Sequence, residues 1–407
     1  MASARHVIVA GAGIAGLTAA LALARAGLRT TVLEQAAKLE ETGAGIQLSP
    51  NATRVLIALG LRERLAPFAM TPHAIRVMAG GSGREIVRIP LGSDAEHHYG
   101  APYWTIHRGD LQSALAGAAQ TTQDIELKLG ARFEDFAAHG NGITVQARLG
   151  QRVVDERGIA LIGADGLWST VATQMQGRRS SSFRHRTAWR TLVPAAAVPE
   201  EFREALVHLW LGFDAHLVHY PVKAGRLINI VAIVHDEWKE TGWSAAGNRA
   251  EILRHFARWS WADTVRALIA IPDQWLKWAL YDRAAPFAGG VGPVTLIGDA
   301  AHPMLPFLAQ GAGMAIEDAA VLAGMLGKYL DDPSDALRAY EGARRHRTAR
   351  AQHLSRRQGR IYGMTGPEAL VRNLAMRALG GKRLRARNDW LYDWQPPEFV
   401  SSASHAL

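Results

Sequence analysis

The 407-residue chain contains no cysteine. It can therefore form no disulfide, no thiolate metal site and no cysteine nucleophile, which removes several classes of enzyme from consideration. Internal repeats and low-complexity segments are also absent, so a repeat array is excluded. Apolar residues make up 48% and charged residues 20% of the chain, as in an ordinary soluble globular protein. The length allows two domains or one large composite domain.

Acidic residues are fewer than basic ones, 37 against 46, which gives a net charge of +9. A positive excess can indicate a nucleic acid or a membrane surface as partner. Much of this excess lies between Arg338 and Arg387, on segments with helical periodicity, and no nucleic-acid motif accompanies it. We therefore expect solvated helix faces and neither a nucleic-acid nor a membrane partner.

A long uncharged run, Val7–Ala24, follows Arg5 and could suggest a signal peptide or a membrane span. Its glycines, its many alanines and the prompt return to a strand pattern that ends in Glu34 argue against both. Without a targeting segment, we expect the protein in the cytoplasm.

The same region carries the strongest local pattern of the sequence. The strand-type run Val7–Ala10 is followed by Gly11, Gly13 and Gly16 at G-x-G-x-x-G spacing. In this motif the first glycine permits a tight turn, the second lets a pyrophosphate approach the backbone, and the third lets helix and strand pack closely. The helix start adds free N–H groups and a positive dipole end. Glu34, at the end of the next strand, can accept hydrogen bonds from ribose, so the pattern predicts a dinucleotide site.

Two later motifs also combine glycine with an acid at a strand end. In GADG, Asp165 stands where α/β sheets place ligand contacts, but for this motif alone an ordinary strand-to-helix turn with Asp165 as cap is favoured. In GDAAHP, Asp299 could bond a polyol chain, and the helix that begins at Gly311 could stabilise negative charge on a redox ring. His302 in this motif could be a base but is more often structural.

The order of the patterns predicts an α/β fold with strands of a parallel sheet at the start, in the middle and near residue 295, separated by antiparallel insertions. The tryptophan-rich segments Arg249–Ala270 and Asp273–Trp278 are predicted to be helical. The predicted units are a discontinuous Rossmann-like domain of residues 1–70, 100–180 and 285–360, an inserted antiparallel β-sheet domain of residues 71–99 and 181–284, and a C-terminal helical and aromatic tail of residues 361–407.

Taken together, GAGIAG with Glu34, GADG and GDAAHPMLPFLAQGAGMAIEDA resemble the FAD-dependent aromatic hydroxylases of the p-hydroxybenzoate hydroxylase type, the group A flavoprotein monooxygenases. Within that family the segments GAGIQLSPNA, HRGDL, HLVHYPV and WLYDW are most similar to salicylate, 3-hydroxybenzoate and 6-hydroxynicotinate hydroxylases. The resemblance implies bound FAD, NADH or NADPH as transient donor, and O2-dependent hydroxylation of a small hydroxylated aromatic or heteroaromatic acid through a flavin C4a-hydroperoxide. It also implies a monomer or homodimer.

The resemblance further implies roles for individual residues. FAD would be held by Gly11, Gly13, Ala15, Gly16, Glu34, Gln35, Arg108, Leu129, Asp165, Gly298, Asp299, Gly311, Ala312, Gly313 and Met314. The aromatic substrate would contact Gln47, His216, Tyr220 and Pro306, with His216 and Tyr220 as catalytic residues and no metal ligand. Where the family usually has an arginine after GADG, this chain has Ala172, which puts the support of the Asp165 loop and the binding of the nicotinamide donor in question.

Residues two apart on a strand share a face, so His216, Val218 and Tyr220 are predicted to point one way and His219 the other. An imidazole with its ordinary pKa suits removal of a phenolic proton near neutral pH, although a lone histidine is more often structural. Two rival functions are an FAD epoxidase or hydroxylase of a larger non-aromatic substrate and a non-catalytic flavoprotein that senses aromatics, for which Ala172 is the only hint.

Overall fold

The computed structural model describes residues 5–39, 44–177, 181–257, 261–283, 287, 289–329 and 331–398. The strands are β1 (His6–Ala10), β2 (Arg29–Glu34), β3 (Gly45–Leu48), β4 (Ala74–Ala79), β5 (Glu85–Pro90), β6 (Trp104–His107), β7 (Ile125–Leu129), β8 (Ala131–His139), β9 (Gly142–Leu149), β10 (Arg152–Gly158), β11 (Ala160–Gly163), β12 (Ser182–Pro194), β13 (Leu206–Leu211), β14 (Ala215–Val222), β15 (Leu227–His235), β16 (Ser244–Asn248), β17 (Gln274–Asp282) and β18 (Val294–Leu296). The helices are α1 (Ile14–Arg25), α2 (Pro50–Ala58), α3 (Arg62–Leu65), α4 (Gly92–Tyr99), α5 (Arg108–Thr121), α6 (Thr170–Gln176), α7 (Arg249–Ala257), α8 (Asp263–Ala270), α9 (Gly311–Lys328), α10 (Pro333–Tyr362), α11 (Gly366–Ala386) and α12 (Asp389–Tyr392).

A parallel sheet of five strands, in the order β18-β11-β1-β2-β7, lies at the centre of one layer. Val7 and Val9 of β1 pack with α1, α5 and α9, whereas Ile8 packs with Phe133 and Val145 of the antiparallel sheet β10-β9-β8. Both faces of the parallel sheet are thus covered, which explains why β1 is apolar without alternation.

A second sheet of eight strands has the order β16-β17-β12-β15-β14-β13-β4-β5. Its neighbours are antiparallel except β4 and β13, which run parallel. Trp210 and Leu217 on one face pack in a cluster with residues of α7 and α8. Ala188 and Ile233 on the other face pack against Leu305, close to the start of α9. The predicted α/β fold with an inserted, largely antiparallel sheet is confirmed.

The register of this second sheet fixes which side chains face the first layer. His216 of β14 pairs with Ile233 of β15, and Tyr220 pairs with Asn229. His219 points to the opposite face, where its ring stacks on His208 with centroids 4.4 Å apart. The predicted alternation along β14 is therefore confirmed, and His216 and Tyr220 share the face that we call the inner face of the sheet.

The predicted helix at Asp273–Trp278 is wrong, because these residues enter strand β17. Burial alternates along β17, with Trp275 only 2% exposed while Leu276 is half exposed, and this period of two belongs to a strand that pairs with β12. The longer predicted helix consists of α7 and α8, and residues 258–260 between them lie outside the described part of the chain. The sequence pattern also did not predict helix α4.

The basic region near the C-terminus forms α10 and α11 as predicted. Helix α10 is 30 residues long and buries one stripe, including Ala336 and Tyr340, against the first layer. Among the helices of the described ranges, none is both long and apolar enough to cross a membrane.

Substitution of Gly16 by alanine is expected to destabilise the fold. A Cβ on Gly16 would lie 1.9 Å from the carbonyl oxygen of Gly11, whereas a Cβ on Gly13 would meet no atom within 4 Å. We expect Gly16→Ala to lower the free energy of unfolding of the cofactor-free protein by about 1–3 kcal/mol in urea titrations, and the matched variant Gly13→Ala to leave it nearly unchanged. Equal stability of the two variants would contradict the packing role of Gly16.

Candidate cofactor and substrate site

The three glycine-and-acid motifs meet at the carboxyl edge of the parallel sheet. A Cβ on Gly11 would lie 2.6 Å from the carbonyl oxygen of Ala164, so the first two motifs are in backbone contact. A Cβ on Gly298 would lie 3.1 Å from Cβ of Ala15 and 3.2 Å from Cβ of Ala315. The third motif therefore fits between the starts of α1 and α9, and we call the space bounded by these turns the cradle.

The first turn of the cradle has the geometry that a diphosphate requires. Gly11 has φ +107°, a conformation that favours glycine, and its N–H donates to the carbonyl oxygen of Leu33 at 2.7 Å. The backbone at Gly13 is open, and the first N–H groups of α1 beyond it have no partner within the helix. An anion can thus approach both the backbone and the positive end of the helix dipole.

The Glu34 side chain hydrogen-bonds to the backbone of this turn and also lies at the cradle. Its carboxylate accepts hydrogen bonds from the N–H groups of Ala12 and Ala36, each at 2.8 Å. The side chain is partly exposed, and each carboxylate oxygen retains acceptor capacity for a ribose hydroxyl. Leu129 lies opposite Glu34 at the end of β7, and exposed Gln35 follows it. The predicted cofactor residues at this edge are therefore brought together.

Asp165 caps a helix, which is the alternative that its sequence left open. Its carboxylate accepts from the Ser169 hydroxyl at 2.5 Å and from the N–H groups of Thr170 and Val171 at 2.7 and 3.0 Å. Ala172 is a residue of α6; it is 4% exposed and packs in the apolar cluster that anchors this helix. The Asp165 loop is thus held by the start of α6, and no arginine at position 172 is needed to support it.

Asp299 and Arg108 lie on the far side of the cradle. Asp299 opens into the cleft beside the start of α9, where a Cβ on Gly311 would lie 4.0 Å from its Oδ1. Desolvation by the surrounding protein raises the pKa of the Asp299 carboxyl. The positive charges of His302 and Arg108 oppose that rise. Arg108 begins α5 and is exposed. Both side chains are therefore placed to meet a polar ligand in the cleft.

The start of α9 opens to the cleft only at its first residues. Gly311 and Ala312 are partly exposed, Gly313 is buried, and Met314 is fully buried in an apolar cluster with Tyr103 and its neighbours. The N–H of Met314 already donates to the carbonyl oxygen of Gln310 at 2.8 Å. The Met314 side chain therefore supports the helix start from behind, and the expected contact of Gly311 to Met314 with the FAD ring stays a prediction.

A polar network joins the start of α9 to the junction of β3, which carries Gln47, and α2. Gln310 donates to the Ser49 hydroxyl at 2.8 Å, and Ser49 donates to Asn51 Oδ1 at 2.5 Å. Asn51 in turn donates to Glu317 Oε1 at 2.6 Å. All of these side chains are buried, so two segments far apart in the sequence are fixed relative to each other.

A buried ionic network lies directly behind the Gly298 turn. Asp318 Oδ2 accepts from the N–H of Gly298 at 2.9 Å and from His302 Nε2 at 2.5 Å, while Arg344 bonds both Asp318 and Glu317 at 2.7 Å. Burial raises the pKa of Asp318, but the charges of His302 and Arg344 outweigh it and lower the pKa to about 2. His302 is therefore structural, as its surroundings in the sequence suggested.

The predicted substrate residues lie around the inner face of the second sheet. His216 is 4% and Tyr220 3% exposed. The ring of His216 lies 5.5 Å from that of Phe307, next to Pro306, and 5.1 Å from that of Tyr362. Gln47 accepts a hydrogen bond from the Tyr103 hydroxyl at 2.7 Å and also interacts with Tyr220. The four predicted residues are thus grouped among aromatic side chains, and we call the part of the structure that they occupy the substrate space.

Three tyrosines of this space were not found by sequence reasoning. They are Tyr103, Tyr362 and Tyr392, whose phenols lie close enough to Tyr220 or to one another to raise each other's pKa. Burial is the main cause of each rise and brings the pKa of Tyr362 to about 12. Tyr392 belongs to the WLYDW segment, which contributed to the resemblance but was given no functional role. Tyr103 and Tyr362 lie at element ends with no motif around them.

The environment of His216 differs from the sequence expectation. Burial lowers the pKa of His216 to about 3, and the charge of Arg186 lowers it in the same direction. The imidazole is therefore neutral at physiological pH and can accept a hydrogen bond. Its protonated form is favoured only when an anion forms beside it, because a desolvated cation otherwise lacks compensation. Within the described residues, no group of three or more histidine, aspartate or glutamate side chains could hold a metal ion.

The cradle defines a class of protein. A family model described as an FAD binding domain matches residues 4–355, and the chain belongs to this family. The geometry fits the cofactor: open backbone at Gly13 suits the diphosphate, the partly exposed carboxylate of Glu34 suits the ribose, and Asp299 lies beside the start of α9.

Individual relatives refine this assignment. The chain is 38% identical to 3-hydroxybenzoate 6-hydroxylase 1 of Aquipseudomonas alcaligenes over 95% of this chain and 97% of that enzyme. It is 32% identical to 6-hydroxynicotinate 3-monooxygenase of Bordetella bronchiseptica over 86% of this chain and 90% of that enzyme. A salicylate hydroxylase solved as a substrate complex superposes with a TM-score of 0.81 at 26% identity, covering 98% of both chains. The resemblance to FAD-dependent aromatic hydroxylases is confirmed.

Loss of the Asp318 carboxylate is expected to weaken the fold in a pH-dependent way. The folded-state pKa of about 2 lies below the ordinary value, so the carboxylate stabilises the fold above about pH 4 and loses this effect as the pH falls toward 2. We expect Asp318→Asn to lower the free energy of unfolding at pH 7 by about 3–5 kcal/mol, because Arg344 and His302 lose their partner.

Urea titrations from pH 7 to pH 2 measure this effect, and the difference from wild type should shrink below pH 4. Asp263→Asn is the matched control, since the Asp263 side chain is fully exposed. A deficit of the Asp318 variant that is small, or equally large at every pH, would show that the network does not hold the Gly298 turn.

Proposed function

We propose that the protein is an NADH- or NADPH-dependent FAD monooxygenase that hydroxylates a small hydroxylated aromatic or heteroaromatic acid with O2. The observation that carries this proposal is the position of His216 and Tyr220. They lie on the inner face of the second sheet, enclosed by aromatic rings beside the residues that precede α9. The named relatives that act on hydroxybenzoates and hydroxynicotinate support the same substrate class.

In this proposal the first layer holds and orients FAD, which when bound supplies the redox and oxygen chemistry. The Gly11–Gly16 turn and the start of α1 bind the diphosphate, and Glu34 binds the ribose. Asp299 accepts hydrogen bonds from the ribityl chain. The first N–H groups of α9 stabilise negative charge on the ring system, because they lie at the positive end of an 18-residue helix.

His216 and Tyr220 act on the substrate. Neutral His216 accepts the hydrogen bond of the ring hydroxyl and takes its proton as the ring becomes more nucleophilic, and the resulting phenolate compensates the charge on the imidazolium. Tyr220 stays protonated, since burial raises the pKa of its phenol, so it can donate a hydrogen bond. Gln47 and Tyr103 border the substrate space on the side of β3 and β6.

Several coarser features belong to the same proposal. The division into FAD-binding segments 1–70, 100–180 and 285–360 and substrate-binding segments 71–99 and 181–284 agrees with the strand membership of the two large sheets. The protein acts in the cytoplasm as a monomer or homodimer, without nucleic acid. The start of α6 supports the Asp165 loop, so the replacement by Ala172 gives no reason to favour a non-catalytic sensor.

Stimulated oxidation of the donor tests the proposed function. We expect hydroxybenzoates or hydroxypyridine carboxylates to accelerate NADH or NADPH oxidation by the FAD-loaded protein, with hydroxylated product identified by mass spectrometry. Binding without turnover would indicate the sensor, and turnover only of a larger non-aromatic compound would indicate the rival monooxygenase. Acceleration that yields only peroxide marks a pseudo-substrate.

The pH dependence of turnover tests the role of His216. Because its pKa is about 3 in the ligand-free protein, kcat/KM should show no fall caused by His216 protonation between pH 8 and pH 5. We expect His216→Ala to lower kcat roughly 100-fold or more. His235→Gln, which removes an exposed imidazole from β15, should leave kcat unchanged. A limb near pH 6.5 that disappears in His216→Ala would contradict this account.

A further inference from the structure

Arg190 lies on the inner face of the second sheet together with the proposed catalytic residues. Across the sheet it pairs with Val231 of β15, and Val231 pairs with Val218 of β14. Val218 stands between His216 and Tyr220 on the same face of β14. Along the strand direction, Arg190 therefore lies level with a point between His216 and Tyr220. It is two strands away from them across the sheet.

Among the residues that the structure describes, the guanidinium of Arg190 has no anionic partner. Its Nε is buried without a hydrogen-bond partner, and within the described residues no carboxylate forms an ion pair with it. Arg184 and Arg186 of the same strand differ, since they pair with Asp282 and Asp214. Strand β12 thus pairs Arg184 and Arg186 with carboxylates, while Arg190 has no such partner among the described residues.

The surroundings of Arg190 do not compensate its charge. Burial lowers the pKa of Arg190, and the nearby positive charge of Arg108 lowers it further, while the Tyr220 phenol acts in the opposite direction. Within the described part of the chain, the cation–π contact of Arg190 is with Trp278, whose ring centroid lies 4.9 Å from Cζ. Because a desolvated charge costs free energy unless it is paired, the position favours an anion brought by a ligand.

We propose that Arg190 binds the carboxylate of the aromatic acid substrate and thereby selects acids over neutral phenols. The planar fork of a guanidinium matches a carboxylate with two hydrogen bonds, and the Trp278 ring limits the directions in which that fork can point. With the carboxylate held at Arg190, the ring hydroxyl is left to His216 and Tyr220. This inference rests on the proposed function, because it assumes an aromatic acid as substrate.

Paired ligands test the inference in the FAD-loaded protein. The probes are 3-hydroxybenzoate and salicylate and their carboxamides, 3-hydroxybenzamide and salicylamide, with binding followed through the visible absorbance of the flavin. Arg190→Gln should raise the Kd of the bound acids roughly 30-fold or more and change the Kd of the amides less than about threefold. Arg190→Lys should recover part of the affinity for the acids, since it restores the charge without the fork.

Arg266→Gln is the control, because it removes an exposed guanidinium from α8 and should change neither Kd. Equal Kd values for the acids in wild type and Arg190→Gln, or equal losses for acids and amides, would overturn the role of Arg190 while leaving the proposed function intact. A loss confined to the KM of NADH or NADPH, or to FAD affinity, would overturn it as well by assigning Arg190 to a phosphate. If wild type binds neither the acids nor their amides, the proposed function and the inference both fail.

Discussion

The buried ionic network around Asp318 is the interaction on which the rest of the site depends. Asp318 accepts from the backbone of Gly298 and from His302, and Arg344 of α10 links Asp318 to Glu317 on α9. A fully buried carboxylate is stable only with such compensation, so its partners fix the turn that carries Asp299. Arg347 extends the network from Glu317 to the carbonyl oxygens of the aromatic C-terminal segment at Trp390 and Leu391.

This network explains how one charge cluster can serve two sites. On one side it positions the Gly298 turn between α1 and α9, where the cradle is formed. On the other side Glu317 binds Asn51 in the first turn of α2, the helix that directly follows β3 with Gln47 at the substrate space. Cofactor-facing and substrate-facing elements thus share one rigid support, although their sequences lie more than 250 residues apart.

The sequence predicted those features that depend on neighbouring residues. The glycine spacing and Glu34 predicted the cradle, because turn, helix start and strand end are local, and the alternation along β14 predicted that His216 and Tyr220 share a face. Features set by partners remote in the chain were out of reach: Asp273–Trp278 becomes a strand through its pairing with β12, and Tyr103 enters the substrate space through the pairing of β6 with β3. The neutral state of His216 follows from burial, which no local pattern encodes.

In the proposed function, the inner face of the second sheet sets the selectivity of the site and the cradle holds the cofactor. An imidazole, a phenol and an uncompensated guanidinium share that face, and aromatic rings enclose the first two. The central claim is that the three glycine-and-acid turns bind a single FAD. Calorimetric titration of the cofactor-free protein with FAD tests this claim most directly: the account predicts saturable binding of one FAD per chain, and the absence of binding would contradict it.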